Sequence, residues 1–332
     1  MYPIDIVKKA FKFEETENIP YWIQYDSELK NKLDRYYGGK AWSEKIVPYM
    51  FGEDVINGEV SEKILENGYV QSPFGYEMRQ GNIMHIERYP LEKPSMKGYR
   101  WPDAEEMADW KKIAEWYESA EGSYRLCGRP FGLFERAWTM RGMENLLVDM
   151  IEEPDFVMEL MEGYIKLMRD VYTLINERIP CEAIKGGDDV SGQNGLFMGI
   201  DRWRKFIKPY FKAEIDHVHS LGKPYIAHMC GNVMPIVDDL VEIGLDGLES
   251  LQSEAMNVYE LKRKVTGKIV LIGGFGVQKV LPFGTPREVR EEVRKLKKEL
   301  GHKGGYILAA SKPLTDGIPV ENAAAFIEEV LA

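Results

Sequence analysis

A histidine and a cysteine stand two positions apart at the end of an apolar run, in the segment PYIAHMCGN at 224–232. Because alternate residues of a β-strand point to the same face, a strand ending here would direct the side chains of His228 and Cys230 the same way. Histidine nitrogen and cysteine sulfur suit Zn²⁺, which normally takes a third protein ligand. A buried pair that only packs or forms hydrogen bonds is the alternative interpretation.

A third ligand is expected at the end of a neighbouring apolar run. Glu249 closes the short run LDGLES, and adjacent strands lie only about 5 Å apart, so we predict Glu249 as that ligand. Cys181 follows Pro180 at the beginning of its run, which is the wrong end. Cys127 lies nearer the right end, but the pattern does not fix its orientation.

Two adjacent aspartates follow a pair of glycines in IKGGDD. The glycines would let a ligand approach the backbone, whereas Asp188 and Asp189, as neighbours, point to opposite sides. One carboxylate is therefore expected to face the site as a general acid, a base or a partner of a cation, and we favour Asp189. The alternative is a carboxylate that caps the helix beginning near residue 200 or fixes a loop.

Bulky side chains near these run ends are candidates for an organic substrate pocket. One group lies in GRPFGLFERAWTMRG (128–142), which joins a strand to a helix, and another lies in IPYWIQYD (19–26). Most aromatic residues at such spacing belong to a hydrophobic core, which is the alternative for each of them. The predicted substrate-contacting residues are Tyr21, Trp22, Phe134, Trp138, Met140 and the polar Gln252.

These positions form one site only if the apolar runs are parallel strands. From about residue 124, short apolar runs alternate with helical patterns, which predicts about six βα units. The segment IPYWIQYD offers an earlier strand and the interval 76–88 another, for a total near eight. We therefore predict an α/β protein, a (β/α)8 TIM barrel in a single domain over 1–332, with an irregular N-terminal elaboration over 1–120 and regular units over 121–332. An open doubly wound sheet is the alternative fold.

Local signals place individual helix ends. A helix is predicted over 200–222, with Asp201 as a candidate cap and Gly222 as the stop. Another begins at the cap Thr285, with Pro286 in its first turn. The segment GGFGVQ lacks the third glycine of a dinucleotide-binding loop.

Composition argues against several classes of function. The 43 basic against 54 acidic residues give a net charge of −11, which argues against a nucleic-acid or anionic-membrane binder. No apolar run approaches the roughly 18 residues of a membrane span, and the first residues lack the apolar centre of a signal peptide. Three cysteines provide no disulfide framework, so we expect a cytoplasmic protein, either monomer or homodimer.

Three long segments resemble the uroporphyrinogen decarboxylase superfamily. They are Asp188-Asp189 together with IDRWRKFIKPYFKAEIDHVHSLGKPYIAHMCGNVMPIVDDLVEIGLDGLESLQ, then GGFGVQKVLPFGTPREVREEVR, and finally GGYILAASKPLTDGIPVENAAAF. The similarity extends with one spacing from about 124 to 331, and FEETENIPYWIQYD fits more loosely. The superfamily fold is a (β/α)8 barrel, in agreement with the strand count.

The resemblance implies one of two chemistries. Decarboxylases share an Arg-Gln-Ala-Gly-Arg segment that grips substrate carboxylates and a histidine after the serine of the last strand, where this chain has IQYDSELK and Lys312. The other branch consists of methyltransferases that work with a corrinoid protein. Its thiol-methylating members resemble this chain at His228 and Cys230 and use those ligands plus a later cysteine to hold zinc. That cysteine would fall near Ser311 or Lys312 and is missing.

The resemblance therefore implies a cobalamin-dependent methyltransferase that moves a methyl group from a small donor, such as an aryl methyl ether, to cob(I)alamin. The chain has no Asp-x-His-x-x-Gly corrinoid loop, so the cobalamin is expected on a partner corrinoid protein. Asp189, Glu249 and His228, with or without Zn²⁺, would stabilise the departing oxygen, and Asp188 is the second candidate carboxylate. The alternatives are a zinc-dependent methylcobalamin:thiol methyltransferase, uroporphyrinogen decarboxylase and a non-catalytic ligand-binding barrel.

Overall fold

The computed structural model describes residues 2–56, 58–66, 68–79 and 85–332. The strands follow in chain order as β1 (Tyr21–Trp22), β2 (Met50–Asp54), β3 (Lys63–Ile64), β4 (Tyr69–Gln71), β5 (Glu77–Arg79), β6 (His85–Arg88), β7 (Tyr124–Arg129), β8 (Ala183–Gly187), β9 (Ser191–Gly192), β10 (Gly195–Leu196), β11 (Tyr225–His228), β12 (Gly247–Leu251), β13 (Val270–Phe275) and β14 (Tyr306–Ala310).

The helices alternate with most of these strands. They are α1 (Pro3–Phe11), α2 (Ser27–Tyr36), α3 (Trp110–Glu118), α4 (Leu133–Arg141), α5 (Met143–Glu152), α6 (Pro154–Arg178), α7 (Ile200–Phe206), α8 (Lys208–Ser220), α9 (Val237–Glu242), α10 (Val258–Val265), α11 (Val280–Phe283), α12 (Pro286–Gly301) and α13 (Val320–Leu331). Within the described ranges, none of them is both long enough and apolar enough to cross a membrane.

The predicted TIM barrel is confirmed. Eight strands form one parallel sheet in the order β1, β14, β13, β12, β11, β8, β7, β2, which nearly closes on itself and is surrounded by helices. A separate antiparallel sheet of β3 to β6 belongs to the N-terminal elaboration, and β9 and β10 form a short hairpin after β8. The apolar strand bodies fill the barrel and leave polar residues at the carboxyl ends.

The prediction of a barrel strand within 76–88 is wrong. β5 and β6 lie there, but they pair antiparallel in the small sheet, and β2 is the strand that pairs with β7 in the barrel. Gly52 interrupts the apolar pattern of β2. This glycine is required because a Cβ there would lie 2.0 Å from the carbonyl oxygen of Leu126.

The predicted helix over 200–222 is two helices. Pro209 lies in the first turn of α8, and because proline has no N–H, it cannot continue the hydrogen bonding of α7. Gly199, and not Asp201, is the N-cap of α7. Thr285 caps α12 as predicted, in a reciprocal capping box with Glu288.

Strand register determines which side chains meet inside the barrel. Lys185 pairs with Ile226, and two residues further along β11, His228 pairs with Glu249 on β12. Because alternate residues share a face, Lys185, His228 and Glu249 all point into the barrel near the carboxyl ends of their strands. Asp54 reaches the same level through its pairing with Gly128, which in turn pairs with Lys185.

Candidate active site

Four charged side chains form a continuous chain inside the barrel. The Lys185 Nζ atom lies 3.2 Å from Asp54 Oδ2 and 3.3 Å from Glu249 Oε2. The same Glu249 oxygen lies 3.2 Å from Nδ1 of His228. Gly128 leaves room for these side chains, since a Cβ at that position would lie 2.4 Å from Asp54 Oδ1.

For Lys185, His228 and Glu249, contacts with opposite charges outweigh the effect of burial on the pKa. Burial would raise the pKa of Glu249, but the charges of Lys185 and His228 outweigh it and the pKa is lowered. Burial would likewise lower the pKa of Lys185, but Glu249 and Asp54 raise it. For His228, burial is outweighed by Glu249 and by a hydrogen bond with Cys230, which raise its pKa to about 10.

Asp189, His228 and Cys230 form a set of metal-ligand donors at the mouth of the barrel, here called the donor cluster. Their ligating atoms all lie within 4.8 Å of one another. The Nε2 atom of His228 is 3.4 Å from the sulfur of Cys230, and Oδ1 of Asp189 accepts the N–H of Cys230 at 2.8 Å. One oxygen, one nitrogen and one sulfur donor suit a borderline cation such as Zn²⁺.

Glu249, the predicted third ligand, lies on the opposite side of the His228 ring from the donor cluster. Its carboxylate faces Nδ1 of His228, whereas the donor cluster lies on the Nε2 side, so Asp189 supplies the third donor. The reason is the register, which sets Glu249 directly beside His228 on the adjacent strand. A carboxylate that accepts the second ring N–H of a ligating histidine fixes its tautomer and orientation.

Hydrogen bonds fix the loop that carries Cys230. Gln252, predicted to contact substrate, is buried and accepts the N–H of Gly231 at 2.7 Å, so it positions this loop. Gly231 has a φ of +81°, and a Cβ there would lie 2.4 Å from the carbonyl oxygen of Ser191. The glycine after His-x-Cys is therefore required by the backbone.

Asp188 is held by hydrogen bonds within the fold. Its buried carboxylate accepts the backbone N–H groups of Phe134 and Glu135 at 3.0 Å, at the beginning of α4. Burial, followed by the charge of Glu135, raises the pKa of Asp188 well above its usual value. Asp188 thus caps α4, and not the helix near residue 200, while Asp189 turns towards the donor cluster.

We expect Asp188→Asn to lower the free energy of unfolding by about 1–3 kcal/mol, because its NH2 group would replace either Oδ2, a second acceptor of the Phe134 N–H, or Oδ1, which accepts both N–H groups. Chemical denaturation followed by circular dichroism measures the loss. Metal content is expected to stay at the wild-type level. An unchanged stability would contradict the capping role.

The predicted substrate-contacting aromatic residues divide between two environments. Trp22 faces the barrel interior, with its ring centroid 5.9 Å from Lys185 Nζ. Tyr21 points the other way, and its hydroxyl accepts the N–H of Val47 outside the barrel. Phe134 and Met140 are completely buried, and Trp138 packs against the core, so these three side chains anchor α4 to the core.

Four residues near the site are not among the predicted site residues. Lys185 interrupts the apolar run AIKGG, which is a usable signal for a buried functional lysine, whereas Asp54 ends a strand that was not recognised. Glu135 lies close to Asp189, and burial together with that charge raises the pKa of Glu135. In the sequence, Lys312 marks a departure from the decarboxylases and from the later zinc-binding cysteine, whereas in the structure its Nζ lies 3.2 Å from Nε2 of His228.

Comparisons with known proteins agree with the fold. A family model described as uroporphyrinogen decarboxylase (URO-D) matches residues 74–332. A curated uroporphyrinogen decarboxylase from Pseudoalteromonas translucida (strain TAC 125) is 23% identical over 143 residues, which span only 40% of each chain. A solved methyltransferase from Methanosarcina mazei superposes with a TM-score of 0.73 over 99% of this chain and 98% of that chain, at 17% identity.

Proposed function

Because it matches that family model over most of its length, this chain belongs to the uroporphyrinogen decarboxylase family, and from that premise we propose that it is a methyltransferase that works with cobalamin on a separate corrinoid protein. The observation that carries the proposal is the donor cluster of Asp189, His228 and Cys230 at the barrel mouth. We propose a small methyl donor with an oxygen leaving group, such as an aryl methyl ether.

The charges around the cluster favour methyl transfer over decarboxylation of a polycarboxylate. Asp54, Asp189 and Glu249 place carboxylates at this end of the barrel. Lys185 is already neutralised by two of them. A substrate with several carboxylates needs a cationic pocket, whereas these carboxylates offset the neighbouring cations Lys185, His228 and Lys312.

The residues fit a metal ion through their donor types and spacing. When bound there by Asp189, His228 Nε2 and Cys230, Zn²⁺ would supply Lewis acidity towards the leaving oxygen. Glu249 accepts the Nδ1–H of His228 and thereby leaves Nε2 directed at the cluster. Lys185 in turn balances the charge of Glu249 from the barrel interior.

Reduced cobalamin on the partner would supply the nucleophile for the methyl carbon. The carbon–oxygen bond breaks and its electron pair stays on the departing oxygen, which is a poor leaving group unless it is protonated or otherwise stabilised. Glu135 is suited to hold the proton, because burial and the neighbouring Asp189 raise its pKa. Trp22 lies beside Lys185 and provides an apolar wall of the site.

A methylcobalamin:thiol methyltransferase is the second candidate. It is favoured by one observation, that Asp189 supplies the third donor for which the resemblance would need a later cysteine. A bound thiol would then replace the ether as substrate. The two candidates differ in the direction of methyl transfer and in the acceptor.

Both candidates are tested with the purified zinc-loaded protein. Methoxylated aromatic compounds with reduced cobalamin are expected to consume the cob(I)alamin absorbance and release an equal amount of phenol. Methylcobalamin with a panel of thiols tests the reverse candidate through thioether formation. Absence of methyl transfer in both assays, across a broad panel, would contradict the proposal.

Lys185→Met is expected to weaken zinc binding by up to about 10-fold, the lower end of the cost of losing a direct partner of a metal ligand, because Lys185 acts through Glu249. Without the ammonium, burial favours protonation of Glu249, and a neutral carboxyl group holds the Nδ1–H of His228 less firmly. Competition with a chelator measures the affinity. Lys185→Arg should retain most of it, and Lys223→Met, at the opposite end of β11, should match wild type. Wild-type affinity in Lys185→Met would contradict this role.

A further inference from the structure

The ammonium group of Lys312 lies directly against the donor cluster. Its Nζ atom is 3.2 Å from Nε2 of His228, the nitrogen that faces the cluster. The same ammonium forms a hydrogen bond with Cys230 and interacts with the charge of Asp189. One cation of the chain therefore contacts or faces all three donors.

We propose that Lys312 competes with a metal ion for the donor cluster and withdraws its ammonium when the ion binds. The inference rests on the metal site of the proposed function. A metal ion needs the lone pair of His228 Nε2, and the Lys312 ammonium occupies the same side of the ring at 3.2 Å, so the two cations cannot both lie there. A zinc ion about 2.0–2.1 Å from Nε2 would also lie close to the ammonium, and like charges at that separation repel.

The surroundings of Lys312 allow this exchange. The residue is exposed and follows Ser311 at the end of β14, so its flexible side chain has a path to solvent.

The two lysines of the site are expected to act in opposite directions. Lys185 is buried and reaches His228 only through Glu249, on the Nδ1 side, so it supports the ligand. Lys312 faces Nε2 and occupies the metal's side of the same ring. Loss of Lys185 should weaken metal binding, whereas loss of Lys312 should strengthen it.

The test compares Zn²⁺ and Co²⁺ affinities of wild type, Lys312→Met and Lys312→Arg by chelator competition and calorimetry at one pH. Lys312→Met is expected to bind at least about 10-fold more tightly, a change of about 1.4 kcal/mol. Lys312→Arg keeps the charge and should stay near wild type. Lys268→Met removes an exposed lysine before β13, at the opposite end of the barrel, and serves as the control.

The outcomes separate this inference from the metal site itself. Stoichiometric binding by wild type with equal or weaker binding by Lys312→Met overturns the competition alone. Failure of both folded proteins to bind either metal overturns the competition and the metal site together. Binding by Lys312→Met where wild type binds little supports both.

Discussion

Asp189→Asn is expected to abolish metal binding and methyl transfer while leaving the fold intact. The neutral amide oxygen is a much weaker metal ligand than a carboxylate, and even partners of ligands cost about 10- to 100-fold when removed, so we expect zinc affinity to fall by at least about 100-fold. The amide oxygen can still accept the N–H of Cys230, which Asp189 now accepts at 2.8 Å. The loop should therefore keep its conformation.

Zinc per protein by elemental analysis and the rate of cob(I)alamin consumption measure this effect. Asp188→Asn is the matched control, because the adjacent carboxylate caps α4 and is expected to cost stability but no metal. Asp189→Asn should lose metal and keep its stability, whereas Asp188→Asn should lose stability and keep its metal. Wild-type zinc content and activity in Asp189→Asn would remove Asp189 from the donor cluster.

The barrel and the convergence of its polar ends were predictable from the sequence. Strand alternation alone directs His228 and Cys230 towards a common side, and the βα order places Glu249 on the neighbouring strand. Both follow from backbone periodicity, which a sequence records directly. The same is true of the cap at Thr285, whose partner Glu288 lies three residues on.

The arrangement of the side chains depends on register, ring orientation and sheet order, which periodicity does not contain. Which nitrogen of His228 faces Glu249 is decided by register and ring orientation, so the sequence does not tell that Asp189, and not Glu249, lies on the Nε2 side with Cys230. In β1 the alternation is clear, but the sequence does not say whether Tyr21 or Trp22 faces inwards. The ion pair of Asp54 and Lys185 joins strands far apart in sequence, and only the sheet order brings them together.

The largest effect on stability is expected at a buried ion pair outside the barrel. Arg129 and Glu214 are in contact and are 2% and 1% exposed, and Tyr172 donates to the Glu214 carboxylate while accepting from Arg129 Nε. Glu214→Gln would leave the guanidinium buried without its counter-charge. Loss of one partner from such a pair costs about 3–5 kcal/mol of unfolding free energy, which chemical denaturation would measure.

The same helix, α8, provides the control for this prediction. Asp216 pairs with Lys212 at 2.6 Å, but both side chains are about half exposed, so Asp216→Asn should cost no more than about 0.5 kcal/mol. The double replacement Arg129→Met with Glu214→Leu removes both charges and should regain much of the loss. If Glu214→Gln behaved like Asp216→Asn, the tyrosines around Arg129 would have to balance its charge without the carboxylate.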